Sequence, residues 1–596
     1  MHRKFVPARK TLPLGLAFAL ILLPCAGVPA QARETPVASE PFEVGESPAG
    51  NYLSARVAES EHDTLAASTF FREALRADPK NPELIQRAFV AALANGDMEA
   101  ANALAQKLVA RDPHNASARL TLTVRDFKQK NYAGARARMR GGATGPERDL
   151  TTILLTAWSY VGSGDVKRAL TLVDTMSDPS FAIFRDFHAG LMLSVAGRPQ
   201  EAGTRLKAAY AGDQSTLRLV DAYARNLSRL GKPDEARDVY LAFDKLQPHN
   251  PVVQAALADL AAGKQLEPMV RDVNAGAAEV LYGLGAYGLG TASNRFGDEI
   301  AAIVFLRLAL ELAPDQALAL DTLGEAYGKL KQYDSAIEIY DQVPEANPLR
   351  VTTDIRVALL LDAMGKADDA IKRLRTISEA HPDNVDAISA LADVLRSHKR
   401  FAESAEAYSK VLALTAQDDK SRWAIYYFRG VDYERAKQWD KAEADLKTAL
   451  DLYPEQPLVL NYLGYSWVDQ GVHLDEAFKM LRRAVELQPE DGYIVDSLGW
   501  AHYKLGHYDE AVKLLERAIE LKPGDPTIND HLGDAYWRTG RKLDAKFQWN
   551  HARDLKPDPE DLPRILSKIE KGLPDGAPQA EDHQPAAPQM LTGKGG

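Results

Sequence analysis

The chain has 596 residues, of which 45% are hydrophobic and 8% aromatic, and its formal net charge is −11 at pH 7. This apolar content is sufficient for a continuous core, so the chain as a whole is not expected to be disordered. The acidic balance argues against nucleic acid as a partner, because phosphate backbones require a basic surface. One short basic run, residues 136–140, is more typical of a solvated helix face.

Residues 1–32 have the pattern of a secretory signal peptide. Four basic residues precede a mostly apolar segment at 12–23, and small residues fit a cleavage site after Ala32. The apolar segment is too short for a comfortable membrane span, and we expect no span in the mature chain. We therefore predict an exported, periplasmic protein with a net charge of −15 after cleavage. The single Cys25 raises the alternative of an outer-membrane lipoprotein, although Pro24 stands where such sites need a small residue.

A block of 34 residues repeats through residues 48–559, after a predicted linker at 33–47. Gly499 and Gly533 are 34 residues apart, and so are the alanines and prolines that follow them in each block. Within one block, apolar residues recur at helical spacing on both sides of Gly506 until a proline ends the run. The period predicts about fifteen units, each made of two short amphipathic helices joined by a turn.

One unit, near residues 251–282, is degenerate, and we expect the repeat to resume with Gly290 at its small position. The segment from Gly283 to Gly288 matches G-x-G-x-x-G, but an Ala-rich helical stretch precedes it where a dinucleotide site needs a strand. We interpret these glycines as sites of close helix packing. The histidines lack zinc-ligand spacing and no hydrolase or phosphate-loop motif occurs, so we expect no metal, no cofactor and no catalysis.

The repeat resembles the tetratricopeptide repeat family, in which Leu-Gly at positions 7 and 8, Ala at 20 and 27 and Pro at 32 recur. The resemblance implies an all-α, right-handed superhelical solenoid that binds proteins along its concave face. An amphipathic segment at 560–572 is predicted to cap the end of the stack. Residues 573–596, rich in Pro, Gly, Gln and Ala, are predicted to be a disordered tail.

In that family, positions 2, 5, 9, 12 and 13 of each repeat line the concave face. Large aromatics beside hydrogen-bonding groups at these positions suit a protein-binding groove. Packing of Trp500 and Trp537 between repeats is the alternative, whereas the side chains of Asn461 and the three aspartates at 496, 530 and 534 are expected to be exposed. The partner-binding candidates in the last four repeats are Tyr427, Asn461, Tyr465, Asp469, Asp496, Trp500, Tyr503, Asp530, Asp534, Trp537 and Arg538.

A closer resemblance covers the last third of the chain. The runs LNYLGYSWVD, EDGYIVDSLGWAHYKLG and HLGDAYWRTGRKLDAKFQW are similar to a group of proteobacterial cell-envelope tetratricopeptide proteins. That group includes the lipoprotein adaptor of the carboxy-terminal processing protease. The resemblance implies a non-catalytic adaptor that binds the protease and delivers murein hydrolases to it. A scaffold for assembly or export of an envelope polysaccharide is the alternative function.

Overall fold

The computed structural model describes residues 44–140, 150–290, 298–416 and 419–574. Within these ranges the chain forms thirty α-helices and one short 3-10 turn, and no strand occurs in them. The predicted signal peptide, most of the predicted linker and the predicted tail beyond Pro574 lie outside the described residues.

The helices of the N-terminal half are α1 (Pro48–Ser60), α2 (Thr64–Ala77), α3 (Pro82–Asn95), α4 (Met98–Arg111), α5 (Ala116–Lys128), α6 (Tyr132–Arg140), α7 (Leu150–Gly162), α8 (Val166–Val173), α9 (Ala182–Val195), α10 (Pro199–Gly212), α11 (Leu217–Arg229), α12 (Pro233–Asp244), α13 (Pro251–Ala261), α14 (Val273–Gly290) and α15 (Asp298–Leu312). Those of the C-terminal half are α16 (Ala317–Lys329), α17 (Tyr333–Tyr340), α18 (Arg350–Ala363), α19 (Ala367–Ala380), α20 (Val385–Ser397), α21 (Phe401–Leu414), α22 (Arg422–Arg435), α23 (Trp439–Leu452), α24 (Pro457–Gln470), α25 (Leu474–Leu487), α26 (Gly492–Lys504), α27 (Tyr508–Leu521), α28 (Pro526–Arg538), α29 (Lys542–Asp554) and α30 (Leu562–Lys571).

Consecutive helices pack as hairpins, from α1/α2 to α11/α12 and from α14/α15 to α28/α29. The turn between α26 and α27 contains Gly506 at φ +78°, a left-handed conformation that glycine adopts without steric cost. Inside each hairpin the two helices approach closely at the repeated small residues. A Cβ at Gly499 would lie 2.9 Å from Leu515, and a Cβ at Gly533 would lie 2.5 Å from Trp549. The predicted all-α solenoid of helix pairs is thus confirmed.

The repeat is interrupted in the middle of the chain. Helix α13 has no hairpin partner of its own, and an extended segment of about ten residues leads from it to α14. The close helix contact of the next unit lies at Gly285, where a Cβ would lie 2.7 Å from Leu306. The surroundings of Gly290, the predicted small position, lie outside what the structure describes. The 18-residue α14 extends beyond this contact, so the 34-residue phase does not continue across this unit. Close packing was correctly expected at Gly285, but Gly283 faces open space.

Helices α14 and α15 fold back into the N-terminal half. Helix α14 packs on α7 and α9, and α15 packs on α3 and α5. Trp158 of α7 lies directly against Gly276 of α14, with no room for a Cβ. Arg218 of α11 forms an ion pair with the buried Glu279 of α14. One continuous apolar cluster therefore runs from α1 to α15.

Candidate functional site

The first helix of each hairpin lines the inner face of the solenoid. Contacts between neighbouring repeats include pairs of first helices, as in α18 with α20, α24 with α26 and α26 with α28. Close spacing of this kind belongs to the inside of a curved stack. In the N-terminal half, the helices that α14 and α15 contact, α3, α5, α7, α9 and, through Arg218, α11, are also first helices. The inner face of that half is therefore filled by the chain itself, and the open concave face begins at α16.

Four of the five aromatic candidates of the last repeats are buried. Tyr427, Tyr465, Trp500 and Tyr503 are each only 2–3% exposed. The ring of Trp500 stacks between His531 of the next repeat and Tyr503, with centroid distances of 4.0 and 4.5 Å. Burial raises the pKa of the tyrosine hydroxyls at 427, 465 and 503. Trp500 thus packs between adjacent repeats, which is the alternative that the sequence left open.

The three acidic candidates at 496, 530 and 534 are also buried, so their predicted exposure is wrong. Asp496 lies 3.0 Å from Nδ1 of His531 in the following repeat. The ammonium of Lys568 donates to Asp530 at 2.9 Å and to Asp534 at 2.7 Å. Asn461, in contrast, is half-buried. Helix α30 places its cations beside Asp530 and Asp534, whereas Asp496 is buried against His531.

The apolar pattern of α30 predicts an end cap, but the helix packs more deeply into the last repeats than a cap would. Lys568 is only 4% exposed, whereas Leu566 is 45% exposed. Ile565 joins the apolar core of the last repeats, and Arg564 lies 3.2 Å from Asp530. Sequence reasoning missed Arg564 and Lys568 because Lys and Arg side chains are expected to face solvent unless their carboxylate partners are known.

The pKa values of this cluster follow from burial and from Lys568. Burial raises the pKa of Asp534 to about 6, since it outweighs the attraction of the nearby ammonium. Burial also acts on Asp530, but Lys568 and Arg564 together hold the pKa of that carboxyl below its usual value. Although burial alone lowers the pKa of Lys568, the two carboxylates raise it overall, so the lysine is charged. The cluster is an internal ionic contact between α28 and α30.

The remaining candidates form contacts along the rim. Asp469 pairs with Lys504 of the next repeat at 3.1 Å. Arg538 donates to the carbonyl of Pro574 at 2.9 Å. Trp537 is half-buried, and the Lys542 ammonium lies 5.0 Å from its ring centroid. The eleven predicted residues therefore belong mainly to contacts that join repeats and secure α30.

An accessible concave surface lies instead on α16, α18 and α20. Glu325, Leu359 and Asp393 occupy the same repeat position, 34 residues apart, and their side chains are 43%, 42% and 45% exposed. The equivalent residues of the last three repeats, at 465, 500 and 534, are all buried. Sequence reasoning missed the exposed set because the family positions were applied only to the last four repeats. The same rule carried three repeats further back would have found it.

Charge surrounds the exposed leucine on this surface. Arg356 lies 3.3 Å from Asp321 and 3.7 Å from Glu325, and thus links α18 to α16. Burial raises the pKa of Asp321, although Arg356 opposes the rise. His398 and Asp362 approach to 2.5 Å between the next two repeats. The surface combines one apolar contact point with partly exposed carboxylates, a combination suited to a peptide segment that carries apolar and basic side chains.

Family models of the tetratricopeptide repeat match residues 317–348, 357–419 and 429–492, and a TPR repeat model matches 499–540. The chain contains tetratricopeptide repeats. It is 26% identical over 185 residues to the TPR repeat-containing protein PA4667 of Pseudomonas aeruginosa, with 31% of this chain and 30% of that protein covered. It is also 26% identical to the human protein O-mannosyl-transferase TMTC1, over 35% of this chain and 24% of that protein. The chain thus spans less than a third of the length of these curated relatives.

Among solved structures, the APC/C hetero-tetramer Cut9–Hcn1 is similar over 89% of this chain and 97% of that one, with a TM-score of 0.36 and 15% identity. Within the described residues, no three His, Cys, Asp or Glu side chains come together as a metal site would require. None of the described helices combines the length and apolar character needed to span a bilayer. Tetratricopeptide repeats are protein-binding modules, and the chain has the architecture of a protein-binding scaffold.

Proposed function

We propose that this protein is an exported scaffold that binds a partner segment along the concave face of α16, α18 and α20. The observation that carries the proposal is the pattern of exposure at one repeat position. Residues 325, 359 and 393 are accessible, while the N-terminal inner face is filled by α14 and α15 and the last repeats are covered by α30. The bound segment would place an apolar side chain on Leu359 and basic side chains near Glu325 and Asp393.

The partner that we propose is a carboxy-terminal processing protease, to which the scaffold would deliver murein hydrolases in the periplasm. The similarity of the last third of the chain to envelope adaptor proteins supports this partner, and the signal-peptide pattern of residues 1–32 supports the compartment. Export is tested separately, by fractionating cells that express the full chain and determining the N-terminus of the recovered protein. A cytoplasmic product with an intact leader would overturn the compartment but not the binding surface.

The binding surface is tested by photocrosslinking in cells from position 359. Leu241 provides a matched control, because it has the same 42% exposure on α12 of the N-terminal half. The proposal expects the protease or a murein hydrolase to be captured from position 359 and not from position 241. Capture of polysaccharide-export components alone would replace the adaptor role with the polysaccharide scaffold. Equal capture from both positions would refute the concave site.

A further inference from the structure

The outer face of α29 departs from the repeat pattern. In α25 this face carries Asp, Lys and Arg at 475, 479 and 483, and in α27 it carries the same three residues at 509, 513 and 517. All six side chains are exposed, as expected for the convex side of a solenoid. In α29 the equivalent residues, again 34 positions later, are Leu543, Phe547 and His551. The charged stripe of two successive repeats is therefore replaced by an apolar one.

Within the residues that the structure describes, no other helix covers this apolar stripe. Leu543 is 86% exposed and Phe547 is 69% exposed. Among the large hydrophobic residues of the described ranges, Leu543 has the highest value and Phe547 shares the second with Tyr287. The rings of Phe547 and His551 lie parallel, 6.4 Å apart, and form a flat surface one helical turn along from Leu543. The core of the last repeats does not need these residues, because Trp549 and the alanines of α29 fill it from the opposite face. An exposed Leu and Phe at i and i+4 are the pattern of a site that receives an apolar partner.

The charges beside the stripe indicate what kind of partner it fits. The acids of α29 at 544 and 554 are already neutralised by arginines, at 2.8 and 2.7 Å. Lys542 and Lys546 have no carboxylate partner in the part of the chain that the structure describes. The stripe is thus bordered by uncompensated positive charge in a protein whose net charge is −11. A second copy docking stripe to stripe would bring these lysines together, and like charges across an interface oppose association.

We propose that the outer face of α29 is a second docking surface, separate from the concave site, that binds an acidic amphipathic helix of a partner protein. The partner helix would place apolar side chains at i and i+4 on Leu543 and Phe547. Its acidic residues would face Lys542 and Lys546. This surface lies on the opposite side of the repeat from the concave groove, so the scaffold could hold two proteins at once. The proposal does not depend on the identity of the partner in the groove.

The probe is a fluorescent synthetic helix with leucines at i and i+4 flanked by glutamates, and its matched control carries lysines in place of the glutamates. The test variant, Leu543→Asp with Phe547→Lys, installs the residues of the two preceding repeats and so leaves the fold intact. We expect the acidic helix to bind the full chain. Its Kd should rise at least about tenfold in the variant, and it should also rise when salt is added. Leu359→Asp, in the concave groove, is expected to leave this Kd unchanged.

Three outcomes would overturn the proposal. The first is that the lysine helix binds the full chain as tightly as the acidic helix does, or that the acidic helix binds the double variant as tightly as the parent. The second is a concentration-dependent dimer in analytical ultracentrifugation that the double variant abolishes, which would assign the stripe to a second copy. The third is that deleting residues 575–596 is required before the acidic helix binds, which would assign the stripe to the chain's own C-terminal segment.

Discussion

Replacing Lys568 with Met should release α30 from the last repeats. Methionine retains most of the volume of lysine but removes the ammonium that lies 2.9 Å from Asp530 and 2.7 Å from Asp534. Both carboxylates are almost fully buried, and they would then face each other without a shared cation. Removing one partner of a buried ion pair typically costs about 3–5 kcal/mol. Because Arg564 remains 3.2 Å from Asp530, we expect the lower end, about 3 kcal/mol.

The assay is hydrogen exchange at the amides of α28 and α30, combined with urea unfolding followed by tryptophan fluorescence. Because each 1.4 kcal/mol changes an equilibrium constant tenfold, a loss of about 3 kcal/mol should lower amide protection in α30 by about a hundredfold. Helices α16–α18 provide the internal control, because α30 packs on α29 and reaches α28 through Lys568. The triple variant Lys568→Met, Asp530→Asn, Asp534→Asn should recover most of the loss, because a whole buried ionic cluster can be replaced by neutral groups at little cost.

The effect of Lys568→Met should also depend on pH. Without the ammonium, the pKa of Asp534, already raised to about 6, should rise further, and the pKa of Asp530 should rise from below its usual value. A raised pKa in the folded state gives stability that is complete below the unfolded pKa, near 4, and is lost as pH rises through the folded pKa. The variant should therefore be nearly as stable as the parent at pH 5 and least stable above pH 7. A loss below 1 kcal/mol at pH 8, or no recovery in the triple variant, would refute the ionic account of α30.

Glu279→Gln should destabilise the N-terminal half by about 3 kcal/mol, because the Arg218 guanidinium, whose side chain is only 17% exposed, loses its carboxylate partner; thermal unfolding and exchange in α14 measure the loss. Burial lowers the pKa of His188 to about 3, so the stability it contributes is complete above about pH 6.5 and is lost as pH falls toward 3. His188→Gln should flatten that dependence of Tm on pH. Burial raises the pKa of Asp432 to about 7, so the folded state loses stability as pH rises from about 4 to 7. Asp432→Asn should therefore raise Tm at pH 8 but not at pH 4.

The hairpins were predictable because their signals are local. A small residue that recurs every 34 positions marks where two helices of one unit approach, and Gly499 against Leu515 or Gly533 against Trp549 shows that contact. Both partners lie within 16 residues of each other in the sequence. Helix periodicity and a proline or glycine at each turn supply the rest. The repeat period therefore predicts nearly every hairpin of the described chain.

The return of α14 and α15 into the N-terminal half could not be predicted in the same way. It depends on contacts between residues far apart in the sequence, such as Lys128 with Glu311 of α15, or Trp158 with Gly276 of α14. No periodic pattern specifies which distant surface a helix will meet. The same limit applied to the site, where Lys568 reaches back 38 residues to Asp530 and covers a position predicted to be open.

Position 9 of the repeat is exposed in one unit and buried in another, so the place of a residue in the repeat does not determine its accessibility. At position 9, Leu359 is exposed and Trp500 is buried, because the Trp500 ring stacks between His531 and Tyr503. A substitution at Leu359 should accordingly weaken binding while Tm stays constant, since the side chain supports no neighbour. The same substitution at Trp500 should lower Tm first, because the cavity would open between two repeats. A binding defect at 359 without a change in Tm is therefore the signature of contact with a partner.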